Sequence, residues 1–377
     1  MPSLVTTPAD LAEVTTALRG AALVGVDTEG ASFHRYVDRL YLVQLSDGAR
    51  TALLDPLALP DLAPLGALLT DAAVEKVFHD AESDLRVLDR DHGYRAHALF
   101  DTRIAAQLAG EPAVGLASLL EKYRGVKLSK RHQKADWSVR PLPADMMAYA
   151  VADVEHLPAL RQVLRDRLAA LGRLGWAEEE FARLEGVRWT RGTEANGADP
   201  WERVKGVRTL APRQLAAFRE LHRWRDEAAR RDDRAPFRVI GNDALLAVAR
   251  ALPATPAALA AVPTTALPRV LAQRHGLALT DAVRHALALR ETDLPRRERG
   301  PRIPRDPDFD ARVERLKAVR NAVAGRLGLD PGVLCGRPLL EAVARARPRN
   351  GAGLAAVGEL RRWQVDVLGD ALLRALG

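Results

Sequence analysis

The sequence predicts a mixed α/β domain followed by two all-helical segments. Residues 1–185 alternate short apolar runs with segments of helical periodicity, whereas the rest of the chain has helical periodicity almost throughout. Two polar breaks, at residues 186–200 and 293–307, separate these parts. With 377 residues, 47% of them hydrophobic, the chain can bury a core in each of two or three domains, which excludes a wholly disordered or collagen-like protein.

The strand signals lie in the first part of the chain. Apolar runs at residues 23–26, 41–45 and 51–54 lie close together, and a fourth at residues 74–79 precedes a helical pattern. Beyond Ala113 the pattern is mainly helical, and its clearest amphipathic runs are residues 115–123 and 143–171. Together with the two polar breaks, this pattern predicts domains at residues 1–190, 200–291 and 303–377.

The formal net charge of +7 is unevenly distributed along the chain. Residues 1–199 hold 23 Lys and Arg against 29 Asp and Glu, a balance of −6, and residues 200–377 hold 33 against 20, a balance of +13. A basic surface attracts phosphate backbones, so the second half is a candidate nucleic-acid-binding region. The alternative is that the base composition of the genome favours arginine, which would raise the charge without any binding role.

The cellular compartment is predicted from the cysteine content and the N-terminal sequence. Cys335 is the only cysteine, so neither an intramolecular disulfide nor a cysteine-based zinc site can form, which favours a reducing compartment. The N-terminal residues lack the basic and apolar regions of a secretory signal. The longest uncharged stretch, residues 251–268, is interrupted by prolines and is not typical of a membrane span. We therefore expect a cytoplasmic protein without a membrane partner.

Carboxylates at three places in the first domain are candidates for one shared site. Asp27 and Glu29 follow an apolar strand, and because strand side chains alternate, both project from the same face. Asp84 falls in the first turns of the helix after residues 74–79. Tyr149 and Asp153 are four residues apart in a helix and therefore share a face. Each pattern alone is also typical of ordinary structure, such as a solvated strand end, an acid at a helix N-terminus or an exposed helix face.

Together, these residues supply the groups needed for two-metal phosphodiester hydrolysis. Four carboxylates can hold two Mg²⁺ or Mn²⁺ ions, one to lower the pKa of an attacking water and one to stabilise the leaving oxygen. Hard oxygen ligands favour these ions, whereas the single cysteine and the lack of a His-x-x-x-His pattern disfavour zinc. We expect Tyr149 to orient or deprotonate the water. Because the ordinary pKa of a phenol is about 10, deprotonation would need help from the metal charge.

Three further motifs lie between Asp84 and Tyr149: GLASLLEKY at 115–123, GVKLSK at 125–130 and ADWSVRPL at 135–142. With the tyrosine and aspartate that come after them, they resemble the DEDD exonuclease superfamily in its tyrosine-containing variant, and within it the bacterial ribonuclease D family. The resemblance implies a ribonuclease H-like mixed sheet. It assigns Asp27 and Glu29 to the first motif, Asp84 to the second, and Tyr149 with Asp153 to the third.

The resemblance also allows expectations about the substrate and the surroundings of the site. Phe33 and His34, which follow the first motif, are expected to contact the 3′ nucleotide. A basic loop beside the site either contacts phosphates or is simply solvated; it consists of Lys127, Lys130, Arg131 and Lys134. Residues expected to support the site rather than to act in it are Trp137 and Arg140, beside the helix of Tyr149, and Asp80 and Asp101, outside the family's ligand positions.

The basic half resembles a second kind of module. Residues 201–204, 215–225 and 236–243 resemble the first HRDC domain, a small helical module shared by ribonuclease D and RecQ-type helicases. Phe218, Leu221 and Trp224 occur at helical spacing, so we assign them to its core rather than to base stacking. Six arginines among and after these residues are expected to face phosphates: Arg219, Arg223, Arg225, Arg230, Arg231 and Arg234. Residues 361–369 and the terminal helix resemble a second HRDC-like domain.

The resemblance therefore implies a 3′-to-5′ exoribonuclease. It would trim the 3′ ends of precursor tRNA by two-metal hydrolysis and release nucleoside 5′-monophosphates. RNA is the expected partner, a monomer is favoured, and no phosphate-binding Gly-x-x-x-x-Gly-Lys-Ser/Thr loop is present to bind a nucleotide cofactor. The alternatives are a DNA 3′-5′ exonuclease on the same fold and a non-catalytic RNA-binding protein; the intact set of carboxylates argues against the latter.

Overall fold

The computed structural model describes residues 3–129, 131–190, 199–295 and 306–377. These residues form two compact units. One unit comprises the chain up to Gly30, Leu40–Trp189 and the described residues after 305; the other comprises Ala31–Arg39 and the described part of Thr190–Ile303. Lys130, most of the break between the first two predicted domains, and the predicted boundary at residue 303 lie outside the described residues.

A mixed sheet lies at the centre of the first unit. Its order is β1-β4-β3-β2-β5-β6, and the strands are β1 (Ser3–Val5), β2 (Leu23–Glu29), β3 (Leu42–Ser46), β4 (Thr51–Leu54), β5 (Glu75–Phe78) and β6 (Leu99–Asp101). Strand β2 pairs antiparallel with β3 and parallel with β5. The predicted mixed sheet is confirmed. Strands β1 and β6 were not predicted, because three residues are too few to show an alternating pattern.

Helices of the first unit pack around this sheet: α1 (Pro8–Arg19), α2 (Ala63–Thr70), α3 (Glu82–His92), α4 (Thr102–Leu108), α5 (Leu116–Arg124), α6 (Ala144–Val154), α7 (Leu157–Ala170) and α8 (Leu174–Leu184). The amphipathic run at residues 143–171 is two helices rather than one. Pro158 lies in the first turn of α7, where its missing N–H costs nothing, and it excludes a continuous helix through this point. The corner between α6 and α7 lies against β2.

The second unit is helical: α9 (Pro212–Arg231), α10 (Pro236–Val239), α11 (Asn242–Ala251), α12 (Pro256–Ala260) and α13 (Arg269–Ala288). Phe218 and Leu221 are fully buried in its core, and Trp224 packs against them, as predicted. The segment Ala31–Arg39 belongs to this unit, where the Tyr36 hydroxyl lies 3.0 Å from both carboxylate oxygens of Asp226.

The C-terminal helices belong to the first unit and share its hydrophobic core: α14 (Phe309–Leu327), α15 (Pro331–Leu334), α16 (Arg337–Ala346), α17 (Gly351–Ala355) and α18 (Arg362–Leu376). The rings of Trp176 on α8 and Trp363 on α18 stack with centroids 4.9 Å apart, and Trp363 Nε1 donates to Glu180 at 3.0 Å. Cys335, directly after α15, is fully buried in the same core. Within the described ranges, we find no helix with the length and apolar character that crossing a membrane requires.

Candidate active site

Strand β2 and the corner between α6 and α7 place three carboxylates together. The apolar first half of β2 is buried in the sheet, and its last residues present Asp27 and Glu29 on one face. Gly25 allows the close approach of the corner, since a Cβ atom at this position would lie only 3.0 Å from the carbonyl oxygen of Val154. Asp153 precedes Val154 directly, so the absence of a side chain at Gly25 brings this carboxylate to the end of β2.

The three carboxylates form a cluster suited to a metal ion. Asp27, Glu29 and Asp153 each offer one carboxylate oxygen, and these oxygens lie within 4.8 Å of one another. Asp84, in the first turn of α3, accepts a hydrogen bond from the Thr28 hydroxyl and lines the same cavity of about 510 Å³. Tyr149 also lines this cavity. The structure thus brings together all five residues that the three motifs predicted.

The pKa values of these carboxyl groups are raised, chiefly because burial disfavours their charged forms. Burial raises the pKa of Asp27 well above its ordinary value, and the charges of Asp84 and Asp153 raise it further. Burial and the neighbouring aspartates raise the pKa of Glu29 in the same way. For Asp84, burial raises the pKa to about 7 despite the hydrogen bond from Thr28, and for Asp153 it raises the pKa to about 6.

The cluster fits divalent cations. Among the described residues, no lysine or arginine forms an ion pair with Asp27, Glu29, Asp84 or Asp153, so the protein itself leaves their charge uncompensated. Oxygen donors of this kind are the ligands that Mg²⁺ and Mn²⁺ prefer. A bound cation would supply the missing positive charge and restore the ionised carboxylates.

Metal-free protein is expected to lose thermal stability as the pH rises from about 5 to about 8. The raised pKa values of Asp84 and Asp153 mean that the folded chain binds more protons than the unfolded chain in this window. The stability gained from this difference is present in full below the unfolded pKa of about 4 and is lost as the pH rises through the folded values. Mg²⁺ or Mn²⁺ should reverse the loss at the higher pH only, because protonated carboxylates do not bind them.

Differential scanning fluorimetry in EDTA and in excess metal, across this pH range, measures the effect. A melting temperature that does not respond to metal at about pH 8 would contradict a metal site.

Aromatic neighbours pack against Tyr149, and Arg140 holds the loop of one of them. Its ring centroid lies 6.1 Å from that of the fully buried Trp137 and 5.9 Å from that of His132. Arg140 fixes the loop that carries Trp137, because it donates to both carboxylate oxygens of Asp55 and to the Trp137 carbonyl. These contacts agree with the supporting roles expected of Trp137 and Arg140.

The described cations of the predicted basic loop do not line this cavity. In the basic loop, Lys127 pairs with Glu121 at 3.8 Å and Arg131 with Asp145 at 3.8 Å, and both cations are well exposed. Neither lines the cavity, although their neighbours Leu128, Ser129 and Gln133 do. Lys130 lies outside the described residues, so phosphate contact by this loop stays a prediction.

The remaining predicted contacts belong to the helical unit. Phe33 and His34 lie in the segment Ala31–Arg39, where the Phe33 ring packs edge-to-face on Phe237. On α9, Arg219 pairs with Glu220, and the exposed Arg223 pairs with Glu220 and Glu227. Roles for these four residues in substrate binding also stay predictions.

The assignment of Arg225 to a phosphate-facing surface was wrong. Arg225 is buried, and its guanidinium donates to the carbonyl oxygen of Ile240 at 3.3 Å and to the side chain of Asn242 at 2.6 Å. Its position on α9, four residues after Leu221, places it on the buried face of that helix. Arg225 is therefore a structural residue of the helical unit.

One cavity residue that the sequence analysis missed is His79. Its Nδ1 lies 2.9 Å from the hydroxyl of Thr102, which donates its only proton to the Phe78 carbonyl at 3.0 Å. This arrangement favours the tautomer with the proton on Nδ1, which leaves Nε2 as an acceptor. Burial, together with the nearby charge of Arg103, lowers the pKa of His79 to about 4, so the ring is neutral at physiological pH.

Arg103 and Asp80 complete this side of the cavity. Asp80 was expected to be structural, and Arg103 was not predicted to lie at the site. Predicting Arg103 would have required recognising β6, because this strand and the start of α4 bring residue 103 beside the end of β5. Asp101 has the structural role expected of it, since its carboxylate caps α4 by accepting from the backbone N–H groups of Arg103 and Ile104.

Comparison with known proteins defines the class. The 3′-5′ exonuclease family matches residues 2–169, and the HRDC domain matches residues 214–283 and 309–376. A mixed-sheet exonuclease domain with an acidic cluster, followed by HRDC domains, makes this chain a nuclease, a hydrolase of phosphodiester bonds.

The particular family follows from relatives that span the whole chain. Ribonuclease D of Gluconacetobacter diazotrophicus is 35% identical over 378 residues, which cover 99% of this chain and 92% of the relative. The crystal structure of Escherichia coli RNase D, an exoribonuclease involved in structured RNA processing, matches with a TM-score of 0.71 and 28% identity over 100% of this chain and 98% of that one. A protein from Bifidobacterium adolescentis matches with a TM-score of 0.83 and 27% identity, over 100% and 97%. The chain belongs to the ribonuclease D family.

Proposed function

We propose that this protein is a 3′-to-5′ exoribonuclease that trims the 3′ ends of structured RNA, with precursor tRNA as substrate and nucleoside 5′-monophosphates as products. The observation that carries the proposal is the convergence of four carboxylates and Tyr149 in one cavity. RNA as the substrate is supported by the relatives, which are named ribonuclease D, and by the description of the Escherichia coli enzyme as acting on structured RNA. The basic second half of the chain offers positive charge for the rest of such a substrate.

The residues that would hold two divalent ions, Mg²⁺ or Mn²⁺, are Asp27, Glu29, Asp84 and Asp153. Ions bound there would supply an activated water and would stabilise the leaving oxygen of the phosphodiester. The chain's own part is to fix the carboxylates in advance. Strand β2 sets the spacing of Asp27 and Glu29, the Thr28 hydroxyl orients Asp84, and the approach of the α6–α7 corner to Gly25 sets the position of Asp153.

Tyr149 orients the attacking water in this proposal rather than deprotonating it. Burial raises the pKa of Tyr149 above its ordinary value, and the neighbouring charge of Asp153 raises it further. The phenol therefore keeps its proton at physiological pH. A hydrogen bond to Asp153 also contributes to this pKa, and the phenol oxygen can still accept a hydrogen bond from the water. Its packing against Trp137 and His132 restricts the ring to one orientation, which is what a positioning role requires.

Replacing Tyr149 by phenylalanine is expected to lower kcat by roughly 10²-fold, because the hydroxyl is lost while the ring keeps its packing. Metal affinity and melting temperature should stay close to those of the wild type, since the hydroxyl is not a ligand. Single-turnover kinetics and metal titration followed by fluorimetry give these values. A near-normal rate in the variant would remove Tyr149 from the mechanism.

The proposal is tested by incubating the purified protein with a 3′-extended precursor tRNA and, in parallel, with single-stranded DNA. Each substrate is tested in EDTA and in Mg²⁺ or Mn²⁺. We expect metal-dependent shortening of the tRNA from its 3′ end, with release of nucleoside 5′-monophosphates. The variant Asp153→Asn should abolish the shortening. Rapid destruction of DNA beside untouched tRNA would instead identify a DNA exonuclease.

The cellular setting of this activity rests on the sequence. The single cysteine supports a cytoplasmic location, and we retain a monomer as the working state. The three-domain division at residues 1–190, 200–291 and 303–377 is likewise a proposal. The HRDC matches at residues 214–283 and 309–376 lie inside the second and third of these ranges.

A further inference from the structure

The cavity that holds the acidic cluster also contains one cationic side chain. Among the described residues that line it, Arg103 is the only lysine or arginine, and the side chains around it include Asp27, Glu29, Asp84 and Asp153. A nucleic-acid strand is a polyanion, so the carboxylates repel it wherever their charge is not balanced. A guanidinium on the cavity wall is suited to bind a phosphate there, because its planar fork matches phosphate oxygens in a bidentate geometry.

Two carboxylates fix the position of Arg103, the exposed Asp80 and the buried Asp101. The Arg103 Nη1 donates to Asp80 Oδ2 at 2.8 Å. Asp101, which is almost completely buried, accepts from the backbone N–H groups of Arg103 at 2.8 Å and Ala81 at 2.8 Å. One side chain thus holds both backbone segments that carry the pair, so the guanidinium is presented to the cavity from a rigid base.

Stability does not account for this pair. The side chains of Arg103 and Asp80 are 41% and 59% exposed, and an ion pair this open to solvent contributes little to folding. Arg103 lies in the first turn of α4, where the helix dipole disfavours a cation. Asp80 has a φ of 70°, a left-handed conformation that aspartate tolerates better than most non-glycine residues. The ion pair therefore contributes little to folding, and both of its residues line the cavity.

We propose that Arg103 is a substrate-binding residue whose guanidinium binds a backbone phosphate of the strand in the active-site cavity. Asp80 is then a positioning residue, which holds the guanidinium toward the cavity until a phosphate takes the place of its carboxylate. This inference rests on the proposed exonuclease function.

The test compares Arg103→Gln and Arg103→Lys with the wild type on a single-stranded oligoribonucleotide. Arg103→Gln should raise KM about tenfold with little change in kcat, and Arg103→Lys should recover part of the loss. The slope of log KM against log salt should fall by about 0.7 in Arg103→Gln, as for one lost phosphate contact to a single strand. A purely structural residue would change the melting temperature and leave this slope unaltered.

Arg86→Gln is the matched control, because Arg86 forms an exposed ion pair with Glu82 and does not line the cavity. Its KM and salt slope should equal those of the wild type. Binding of the same oligoribonucleotide, followed by fluorescence anisotropy in Ca²⁺, tests the inference independently of turnover. Failure of the wild type to hydrolyse RNA would refute the proposed function. Wild-type values of Kd, KM and salt slope in Arg103→Gln would overturn the assignment of Arg103 alone.

Discussion

Asp27→Asn is expected to lower the rate of phosphodiester hydrolysis by roughly 10³-fold or more while the protein stays folded. Asp27 lies at the centre of the cluster, where the neighbouring charges of Asp84 and Asp153 raise its pKa beyond the effect of burial. An amide at this position removes one ionised ligand, and the several kcal/mol of transition-state stabilisation that depend on metal binding are lost with it. The same change removes charge repulsion, so the metal-free variant should melt at a higher temperature than the metal-free wild type.

Rates in Mg²⁺ and in Mn²⁺, together with melting curves in EDTA, test both halves of this expectation. Asp166→Asn is a suitable control, because Asp166 is an exposed acid on α7 and, within the described part of the chain, accepts only from the neighbouring Gln162 side chain. Wild-type turnover in Asp27→Asn would contradict the assignment of Asp27 to a metal site. A folded, inactive variant with a lowered metal-free melting temperature would instead show that the carboxylate stabilises the apo fold.

Trp363→Ala is expected to destabilise the exonuclease domain, although Trp363 lies more than 170 residues after the end of that domain in sequence. The indole of Trp363 is buried, stacks on Trp176 and donates to Glu180. Removing a buried tryptophan costs about 3–5 kcal/mol, and here it also leaves the buried Glu180 without one of its donors. For a unit of this size we expect the melting temperature to fall by roughly 10 °C.

Thermal melting with metal-dependent activity as a second probe measures this effect. Both signals should fall together, because α14–α18 and the sheet domain share one hydrophobic core. Trp189→Ala is the control, since Trp189 belongs to the same unit but its side chain is 40% exposed. A variant Trp363→Ala with wild-type activity and melting temperature would show that the C-terminal helices fold without stabilising the exonuclease domain.

The active-site carboxylates could be predicted from sequence because their spacing follows from regular structure. Alternation in β2 puts Asp27 and Glu29 on one face, and the helical repeat does the same for Tyr149 and Asp153. Bringing these pairs together needs information that no local pattern contains. It depends on the close approach of an α6–α7 corner to Gly25, which the sequence analysis did not anticipate.

The residues that were missed or misassigned depend on such tertiary detail. Arg103 faces the cavity only because β6 pairs with β5, and β6 is too short for its pattern to be recognised. Arg225 was grouped with the exposed arginines by charge alone, although its spacing from Leu221 places it on the buried face of α9. The helical periodicity predicts the position of Arg225 correctly. A buried arginine is tolerated there because backbone and amide oxygens accept hydrogen bonds from its guanidinium.

Cys335 gives the shared core a chemical reporter. Burial raises the pKa of this thiol to about 11, so in the native state it is both shielded and almost entirely protonated, and the thiolate is the form that alkylating reagents attack. Alkylation should therefore occur only in molecules whose C-terminal helices have opened. Because the chain has one cysteine, each alkylated molecule carries a single mass adduct, which marks a molecule that has opened. The labelling rate would measure the free energy of opening without any engineered probe.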